Sequence, residues 1–299
     1  MEIRIILNGK KAGLPAVREA IFRAREELSP NIEVRVTWEH GDVHRLVEEA
    51  VGEKVDRLVA GGGDGSVNEV VDALMRLPRA QRPELAILPL GTANDFATGC
   101  QIPIDSFCAL DLAISGKAQP VDVVCANDRH FINIATGGFG AQVTTDTPVA
   151  LKNFLGGGAY TLTGLVKAIN FKPYPGLLTS KDFQFKSEAI VGAVCNGRQA
   201  GGGQILAPNA YINDGLIDFV VLEAFPFSAV NQVINEIRDP DIHGTYVKRF
   251  QTSWVDFSSD VAAPINLDGE PYHHNKIRFE VAPHAVDLVV PEDCPCLKL

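Results

Sequence analysis

The stretch LVAGGGDGSVNEV (residues 58–70) places four glycines between a short apolar run and a segment with a helical pattern. The apolar run predicts a buried strand, and Ser66 followed by Glu69 predicts a helix that begins with a capping box. Glycines leave the backbone N–H groups of the turn unobstructed, so the turn and the helix N-terminus can bind a di- or triphosphate. Because a capping box satisfies only some of these amides, a plain glycine-rich turn and a phosphate site are both compatible with the stretch.

This glycine-rich turn matches neither of two common nucleotide-binding motifs. The pattern GxxxxGK[ST] does not occur in the chain. The GxGxxG spacing also fails, because the third glycine position holds Ser66 in one register and Asn68 in the other. The sequence therefore predicts a phosphate-binding turn of a different kind.

A second loop of similar chemistry follows the next predicted strand, in the stretch ILPLGTANDFA (residues 87–97). Loops that follow neighbouring parallel strands converge on one ligand, so we expect both loops to contact the same phosphates. Thr37 ends the preceding predicted strand and reaches the same edge, although an ordinary strand residue is the alternative there. The second loop supplies a glycine, a hydroxyl, an amide and a carboxylate at Gly91, Thr92, Asn94 and Asp95.

The pattern of apolar residues changes near residue 121. Before it, strand-like runs at residues 3–7, 32–38, 57–60 and 85–88 alternate with helical segments, which predicts parallel βαβ units in an open, helix-covered sheet. After it, short apolar runs follow one another with Gly, Asn and Asp between them, which predicts a mainly antiparallel β domain. Helical patterns interrupt this second part at residues 148–170 and 228–237.

Charge and hydropathy exclude several classes of protein. The 299 residues include 27 Lys and Arg and 37 Asp and Glu, a formal net charge of −10, which disfavours a general nucleic-acid-binding protein. No stretch approaches the ~18 uninterrupted apolar residues of a membrane span. The N-terminal MEIRIILNGK reaches charge too early for a signal peptide, so we expect a cytoplasmic protein.

Six cysteines are scattered along the sequence without a CxxC pair or zinc-ligand spacing. They predict reduced, mostly buried thiols. Cys294 and Cys296 form one close pair in a Pro-containing tail, where we favour a terminal extension over a redox site.

The two glycine-containing loops closely resemble those of the diacylglycerol kinase catalytic family, which includes the sphingosine kinases and the bacterial YegS-type lipid kinases. The resemblance continues in NGRQAGGGQ (196–204), PNAYINDGL (208–216) and NLDGEP (266–271), so it covers nearly the whole chain. It implies an α/β fold with two domains. An open domain like those of phosphofructokinase and NAD kinase takes residues 1–121 and is rejoined by 286–299, a β-sandwich takes residues 122–285, and ATP lies in the cleft.

The resemblance implies a lipid kinase that transfers the γ-phosphate of ATP to a hydroxyl of diacylglycerol, phosphatidylglycerol or a related lipid. Glu270 then accepts the proton of that hydroxyl, and Asp64 and Asp95, with Asp122 as a further candidate, organise Mg²⁺ and water. The implied nucleotide contacts are Thr37, Gly63, Asp64, Gly65, Ser66, Val67, Asn68, Glu69 and Thr92. From the residues alone, a plain hairpin turn is the favoured interpretation of Asp268-Gly269-Glu270-Pro271, and the family match reverses that preference. A catalytic carboxylate carried on a turn is compatible with both.

A second cation site is also implied by the resemblance to YegS-type proteins. It would bind Mg²⁺ or Ca²⁺ through the Asp214 carboxylate and the backbone carbonyls of Tyr211 and Leu216. Without the resemblance, the Asn-Asp-Gly sequence at residues 213–215 predicts only a turn. The chain departs from the family at Ser66, where Thr is usual, and at residues 7–10, which lack the fuller Asn-Pro-x-Ser-Gly pattern.

Residues 151–186 combine five lysines with one acidic residue, Asp182, and six aromatic residues. Such a segment can lie on an anionic lipid surface, where the enzyme would reach its substrate on the inner membrane, or it can be an ordinary solvated element. Two other functions stay open: a kinase for a soluble substrate, like NAD kinase and phosphofructokinase, and a non-catalytic lipid or nucleotide sensor. The lipid and the oligomeric state are not determined by the sequence.

Overall fold

The N-terminal strands form a parallel sheet. A computed structural model of the chain describes residues 1–28, 31–138, 173–239 and 244–298. Its first strands run parallel in the order β4-β3-β1-β2, and the central strand β3 is buried along its whole length. These strands are β1 (Glu2–Asn8), β2 (Asn31–Thr37), β3 (Arg57–Gly62) and β4 (Glu84–Pro89).

Helices cover both faces of this sheet because successive side chains of a strand point to opposite faces. Ile6 packs with α2 and α3, whereas its neighbours Ile5 and Leu7 pack with α1 and α5. The prediction of an open, helix-covered α/β sheet is therefore confirmed. The helices are α1 (Pro15–Glu27), α2 (Asp42–Gly52), α3 (Asp64–Met75), α4 (Asp95–Gly99) and α5 (Ser106–Ser115), with a 3₁₀ turn at Arg79–Gln81.

The second half of the chain is antiparallel, as predicted. Its strands run in the order β13-β12-β9-β7-β14-β15, with β8 beside β9 and β14 and with β5 beside β6 and β15. A core that includes Phe131, Phe219 and Phe279 lies within it. The strands are β5 (Ala118–Ala126), β6 (Arg129–Phe131), β7 (Ile134–Gly138), β8 (Tyr174–Thr179), β9 (Gln184–Cys195), β10 (Gln199–Ala200), β11 (Gln204–Ile205), β12 (Ile217–Glu223), β13 (Val247–Thr252), β14 (Trp254–Leu267) and β15 (Glu270–Val289).

Of the two predicted helical patterns in this half, one is seen and one is outside the described residues. The pattern at residues 228–237 forms a 3₁₀ turn, Phe227–Ala229, followed by α6 (Val230–Arg238). The pattern at residues 148–170 is not described. None of the helices in the described part of the chain has the length and apolar character needed to span a bilayer.

Strand β15 connects the two halves of the molecule. It begins at Glu270 in the antiparallel part and, at Leu288, pairs in parallel with Leu85 of β4. Val286 and Leu288 are fully buried in the core of the first domain. The residues after 286 thus lie against the N-terminal sheet. Strand β5, which pairs with β15, continues through residue 121, where the sequence pattern changes.

A partly buried ion pair links helix α3 to β6. The Nδ1 atom of His130 lies 2.8 Å from the Asp72 carboxylate, and Arg76 lies 2.8 Å from its other oxygen. Burial favours the neutral forms, but the Asp72–His130 hydrogen bond, with help from Arg76 and Cys125, holds the pKa of Asp72 at about 2 and raises the pKa of His130 to about 9. The pair is therefore charged at neutral pH and joins an element of each half.

This pair predicts a loss of stability in alkali. A histidine whose pKa is raised on folding stabilises the protein fully below its unfolded pKa, about 6.5, and loses that contribution as the pH rises through about 9. We expect the difference in unfolding free energy between wild type and His130→Gln, measured in urea, to fall by on the order of 2 kcal/mol between pH 6.5 and 9.5. His273→Gln changes an exposed histidine and is the matched control. A constant difference across this range would contradict the assignment.

Candidate functional site

The carboxyl ends of the parallel strands bring hydroxyl and amide groups from three separate segments to one edge. The backbone N–H of Gly9, just after β1, donates to the Thr37 hydroxyl at the end of β2, at 3.3 Å. The Asn8 side chain donates to the Ser66 hydroxyl at 3.2 Å. Thr37 and Ser66, both predicted nucleotide contacts, therefore lie at the same edge of the sheet.

The two glycine-rich loops touch through their backbones. A Cβ atom on Gly91 would lie 2.6 Å from the Cα atom of Gly63, and one on Gly62 would lie 2.3 Å from the Ser66 hydroxyl oxygen. Leu90 N–H also donates to the Gly62 carbonyl at 2.7 Å. Glycine is required at these positions because no side chain fits between the loops.

Helix α3 begins earlier than the sequence predicted. Gly63 is its N-cap residue, in an extended conformation, and the helix starts at Asp64 without a side-chain cap. The predicted capping box of Ser66 and Glu69 is therefore wrong, because the chain already turns into the helix before Ser66. The first-turn amides lack that cap and can face an anion at the positive end of the helix dipole.

The predicted nucleotide contacts of α3 differ in whether a side chain or only the backbone is open to a ligand. Gly65 and Ser66 are partly exposed at the first turn. Val67 is 3% exposed and packs in the core of the first domain, so only its backbone is open to a ligand. Thr92 is exposed in the neighbouring loop.

Two aspartates hold the loops in place. The Asp64 carboxylate accepts a hydrogen bond from Phe96 N–H at 3.1 Å, which joins the two loops. The buried Asp95 carboxylate accepts from Gly202 N–H at 2.8 Å and from Gly203 N–H at 2.6 Å. Asp95 thus connects α4 of the first domain to the glycine-rich segment of the second.

A tight hairpin presents Glu270 at the surface of the cleft. Asp268 and Gly269 form the turn between β14 and β15 with φ values of 47° and 103°, as in a type I′ turn. Glu270 is exposed directly after it. The predicted hairpin is therefore present, and it is the element that carries the candidate base.

Asp268 anchors this hairpin and was missed as a site residue in the sequence. Its carboxylate accepts hydrogen bonds from the backbone N–H groups of Ile132, Asn133 and Ile134, at 2.7–3.0 Å. Burial raises the pKa of Asp268 to about 6, against the effect of these three donors. Its place beside Gly269 and Glu270 in NLDGEP was the available signal, but its partners lie more than 130 residues away in the chain.

Helix α3 faces the hairpin across the cleft. With its amide oriented to satisfy both partners, Asn68 donates to the Asp268 carboxylate at 3.2 Å and to the His130 carbonyl at 3.3 Å. Burial raises the pKa of Glu69, and the nearby charge of Glu270 adds to this effect. Residues predicted separately as nucleotide contacts and as the base thus border one space.

That space is a cavity of about 250 Å³ between the two halves of the molecule. Asn68, Glu69 and Glu270 line it, so a ligand there meets both the helix and the candidate base. The sequence did not predict the basic side chains in its wall. His40 and His44 follow β2 at the edge already marked by Thr37, which was a usable signal for them. The lining also includes Gly65, Asp72, Arg76 and Arg129.

The Asp122 carboxylate accepts hydrogen bonds from backbone N–H groups. It is fully buried, and its carboxylate accepts from Gly215 N–H at 2.7 Å and from His284 N–H at 2.8 Å. Burial raises the pKa of Asp122, and the charge of Asp214 contributes. These contacts tie the middle of β5 to the loop at Gly215 and to the irregular part of β15 at His284.

The predicted second cation site lies beside the C-terminal tail. The Asp214 side chain is 5% exposed, and the Lys298 ammonium group lies 3.5 Å from it. Backbone and side-chain hydrogen bonds between Asn213 and Lys298, at 2.7 and 3.1 Å, hold the tail there. The negative potential of Asp122 and Asp214 fits a cation, and the carbonyl groups of Tyr211 and Leu216 belong to the same loop.

The predicted second cation site does not consist of several charged side chains. Among residues 1–28, 31–138, 173–239 and 244–298, no group of three or more His, Cys, Asp or Glu side chains has the geometry to hold a metal ion. A site made from one carboxylate and backbone carbonyls would not require such a group.

Comparison with known proteins identifies relatives along the whole chain. Residues 2–126 match the family described as the diacylglycerol kinase catalytic domain, and residues 134–290 match the YegS C-terminal NAD kinase beta sandwich-like domain. A Shewanella frigidimarina protein named "Probable lipid kinase YegS-like" is 50% identical over 99% of this chain and 96% of that protein. A Chromohalobacter salexigens protein of the same name is 47% identical over 96% of this chain and 93% of that protein.

Solved structures show the same fold. A structure from Bacillus anthracis described as a diacylglycerol kinase superposes with a TM-score of 0.76 at 22% identity, covering 98% of both chains. Another structure from that organism gives a TM-score of 0.79 at 25% identity, again over 98% of both chains.

The contact between the loops predicts that Gly91→Ala separates them. Because the added Cβ would overlap the Gly63 backbone, we expect a loss of about 1–3 kcal/mol in the free energy of unfolding, measured in urea. Gly52→Ala is the control, since a Cβ there meets nothing within 4 Å. Equal stabilities of the two variants would show that the loops can move apart freely.

The Lys298 ammonium group predicts competition with a divalent cation at Asp214. We expect Lys298→Gln to raise the apparent affinity for Mg²⁺ alone by about two- to fivefold, measured by calorimetry. The variant lacks the ammonium group that would compete with the metal ion for the Asp214 carboxylate. Lys276→Gln makes the same charge change at an exposed residue that belongs neither to the 211–216 loop nor to the tail, and it should leave the affinity unchanged. Asp214→Asn should abolish this binding. Unchanged affinity in Lys298→Gln would contradict the competition.

Proposed function

This chain belongs to the diacylglycerol kinase catalytic family, with a YegS-type C-terminal domain, and we propose from that premise that it is an ATP-dependent lipid kinase. The acceptor is a lipid hydroxyl, and the product is a lipid phosphate. One observation carries the proposal: the first turn of α3, at Gly65, and the exposed carboxylate of Glu270 line one cleft, next to the edge built by the two glycine-rich loops.

The phosphates of ATP bind at the edge formed by Thr37, Gly63 and the first turn of α3. Backbone N–H groups and the positive end of the helix dipole stabilise the phosphate charge, and the hydroxyls of Thr37 and Ser66 add donors. The Gly63–Gly91 contact keeps the second loop, with Thr92, beside the same phosphates. This arrangement suits a triphosphate because it supplies many donors without a bulky side chain.

Asp64 and Asp95 fit a role beside a magnesium ion. Their carboxylates sit at the starts of α3 and α4, and each is oriented by backbone N–H groups. When bound, Mg²⁺ neutralises charge on the transferring phosphoryl group. Asp95 also orients the segment at Gly202 and Gly203, so it acts as a positioning residue for the second domain.

Glu270 is the general base. It accepts the proton of the lipid hydroxyl as the hydroxyl oxygen forms a bond to the γ-phosphorus and the bond to ADP breaks. The hairpin anchored by Asp268 restricts the movement of this carboxylate, which favours proton transfer because the acceptor is already oriented.

The lipid acceptor is favoured over a soluble one by the names of the full-length relatives, each a probable lipid kinase. Access to the membrane surface is part of this proposal. The segment proposed for that contact, residues 151–186, lies outside the described residues up to 172. Its described end forms β8 and the start of β9.

The test is transfer of labelled γ-phosphate from ATP with Mg²⁺ into a total lipid extract. We expect a labelled lipid with wild type and a loss of about 10²–10⁴-fold in rate with Glu270→Gln, because general-base catalysis is removed. ATP binding, measured separately, should be unchanged in this variant. Glu280→Gln alters an exposed glutamate on the same strand and is the matched control.

Each of the other outcomes would indicate a different function or a different base. Label in a soluble alcohol or in NAD, with none in lipid, would indicate a soluble-substrate kinase. ATP binding without any transfer would indicate a sensor. Full activity in Glu270→Gln would leave the kinase assignment intact and remove Glu270 as the base.

A further inference from the structure

Four of the eight large apolar side chains exposed in the described part of the chain lie near one edge of the N-terminal sheet. Tryptophan and phenylalanine are mostly buried in folded proteins, but Trp38 is 91% exposed and Phe22 is 64% exposed. Leu14 and Val36 are the other two, at 43% and 44% exposure. None of the four lines the cavity that contains Glu270, so the proposed phosphate transfer does not account for them.

Helix α1 carries two of these side chains on one flank. Its buried residues pack in the core on one face of the sheet. Residues three or four apart share a side of a helix, so an adjacent flank carries apolar and basic side chains in turn, from the N-cap residue onward: Leu14, Arg18, Phe22 and Arg25. The Arg25 guanidinium donates to the Ile32 carbonyl at 2.8 Å, which places this flank on the β2 side of the helix.

Strand β2 forms the edge of the sheet beside this flank. Among the described strands it pairs only with β1, in parallel. Residues an even number of positions apart share a face of a strand, so Val36 lies on the face of Ile32, which packs in the same core as α1. Trp38 directly follows the strand, and its N–H donates to the Asp42 carboxylate at 2.7 Å. The exposed indole is therefore carried by a fixed backbone.

The helix flank, the loop before it and the end of β2 form one surface, which we call the α1–β2 flank. Because α1 returns from the end of β1 to the start of β2, its N-terminus lies at the carboxyl end of the sheet, at the level of Trp38. The α1–β2 flank consists of Lys10, Lys11, Leu14, Arg18, Phe22, Arg25, Val36 and Trp38.

The α1–β2 flank is positive although the chain has a net charge of −10. Four of its eight residues are Lys or Arg, and Glu39, next to Trp38, reduces this charge by one. Exposed aromatic and apolar side chains among basic ones are typical of a surface that binds an anionic lipid bilayer. A second copy of the chain fits less well, because two such flanks would repel each other.

We propose that the α1–β2 flank docks the protein on an anionic lipid bilayer. The inference rests on the proposed function, because a kinase whose acceptor is a lipid hydroxyl has to reach the surface that holds the lipid. Trp38 and Phe22 enter the boundary between head groups and acyl chains, where aromatic side chains are stable. The lysine and arginine side chains extend along this boundary and place their charges at the lipid phosphates.

Docking by this flank turns the cleft toward the membrane. Trp38 lies two residues before His40, which lines the cavity that contains Glu270. Two residues of extended chain span at most ~7 Å, so the docked loop and the wall of the cavity are close to each other. A lipid held at the bilayer surface is therefore presented at the side of the molecule where the candidate base lies.

The first test uses tryptophan fluorescence, since the chain has two tryptophans. Trp254→Phe leaves Trp38 as the reporter, whereas Trp38→Phe leaves Trp254, which is half-buried and lies under Arg278. With mixed vesicles of phosphatidylcholine and phosphatidylglycerol, we expect the Trp38 emission to shift to shorter wavelength and to be quenched by brominated acyl chains. The Trp254 emission should not change. Vesicles of phosphatidylcholine alone should produce a much smaller shift, because they lack the negative charge.

The second test measures co-sedimentation with the same mixed vesicles. We expect Arg18→Glu to weaken binding by about 5–30-fold, because it replaces attraction to the anionic surface with repulsion. Phe22→Ser should weaken binding by about 10-fold through the lost apolar contact. Arg238→Glu and Phe227→Ser make the same changes at exposed residues of the second domain and should bind like wild type. Circular dichroism establishes that each variant is folded.

Both vesicle assays omit ATP, so their outcome is independent of the kinase. Vesicle binding through the flank without phosphorylation of any lipid would leave the docking surface intact and remove the proposed function. Phosphorylation of a lipid by wild type without a change in Trp38 emission on the mixed vesicles would overturn the docking surface alone. Equal binding to vesicles with and without phosphatidylglycerol would also overturn it. So would a dimer in sedimentation velocity that Phe22→Ser dissociates, because the flank would then face a second copy.

Discussion

The contact between the Gly63 and Gly91 backbones is the constraint on which the rest of the site depends. It forces two loops of neighbouring strands into van der Waals contact, and the Asp64–Phe96 hydrogen bond then fixes their relative position. Helix α3 starts from this junction, so its first-turn amides point over the sheet edge. A side chain between the loops would move the helix and with it Asn68 and Glu69, which face the opposite wall of the cleft.

The opposite wall is organised by one buried carboxylate, Asp268. Three backbone N–H groups from the segment after β6 converge on it, and the Asn68 amide reaches it from α3. A charge in this environment is costly unless it is hydrogen-bonded, so the hairpin is held in one conformation. The position of Glu270 therefore depends on a neighbouring carboxylate that is itself buried, Asp268.

Local patterns in the sequence predicted the parallel sheet, the antiparallel half and the hairpin, because strand alternation, glycine spacing and the Asp-Gly turn are properties of short segments. They failed for the start of α3, where the extended Gly63 initiates the helix before Ser66. They also gave no account of Asp268 with Ile134 or of Asp72 with His130. Each of these pairs joins residues 58 or more positions apart, and only the fold brings them together.

Strand β15 completes the N-terminal sheet, because its last residues pair beside β4 and are buried in the same core. Leu288 pairs beside β4, and Arg79 binds the Asp287 carboxylate next to it, so the end of the chain covers what would be an open sheet edge. A fragment ending near residue 126 would expose the backbone of β4 to pairing with other molecules, a common route to aggregation. The edge of β4 is therefore covered only after the residues around Leu288 have been synthesised and have folded back, so the N-terminal sheet completes its strand pairing late in folding.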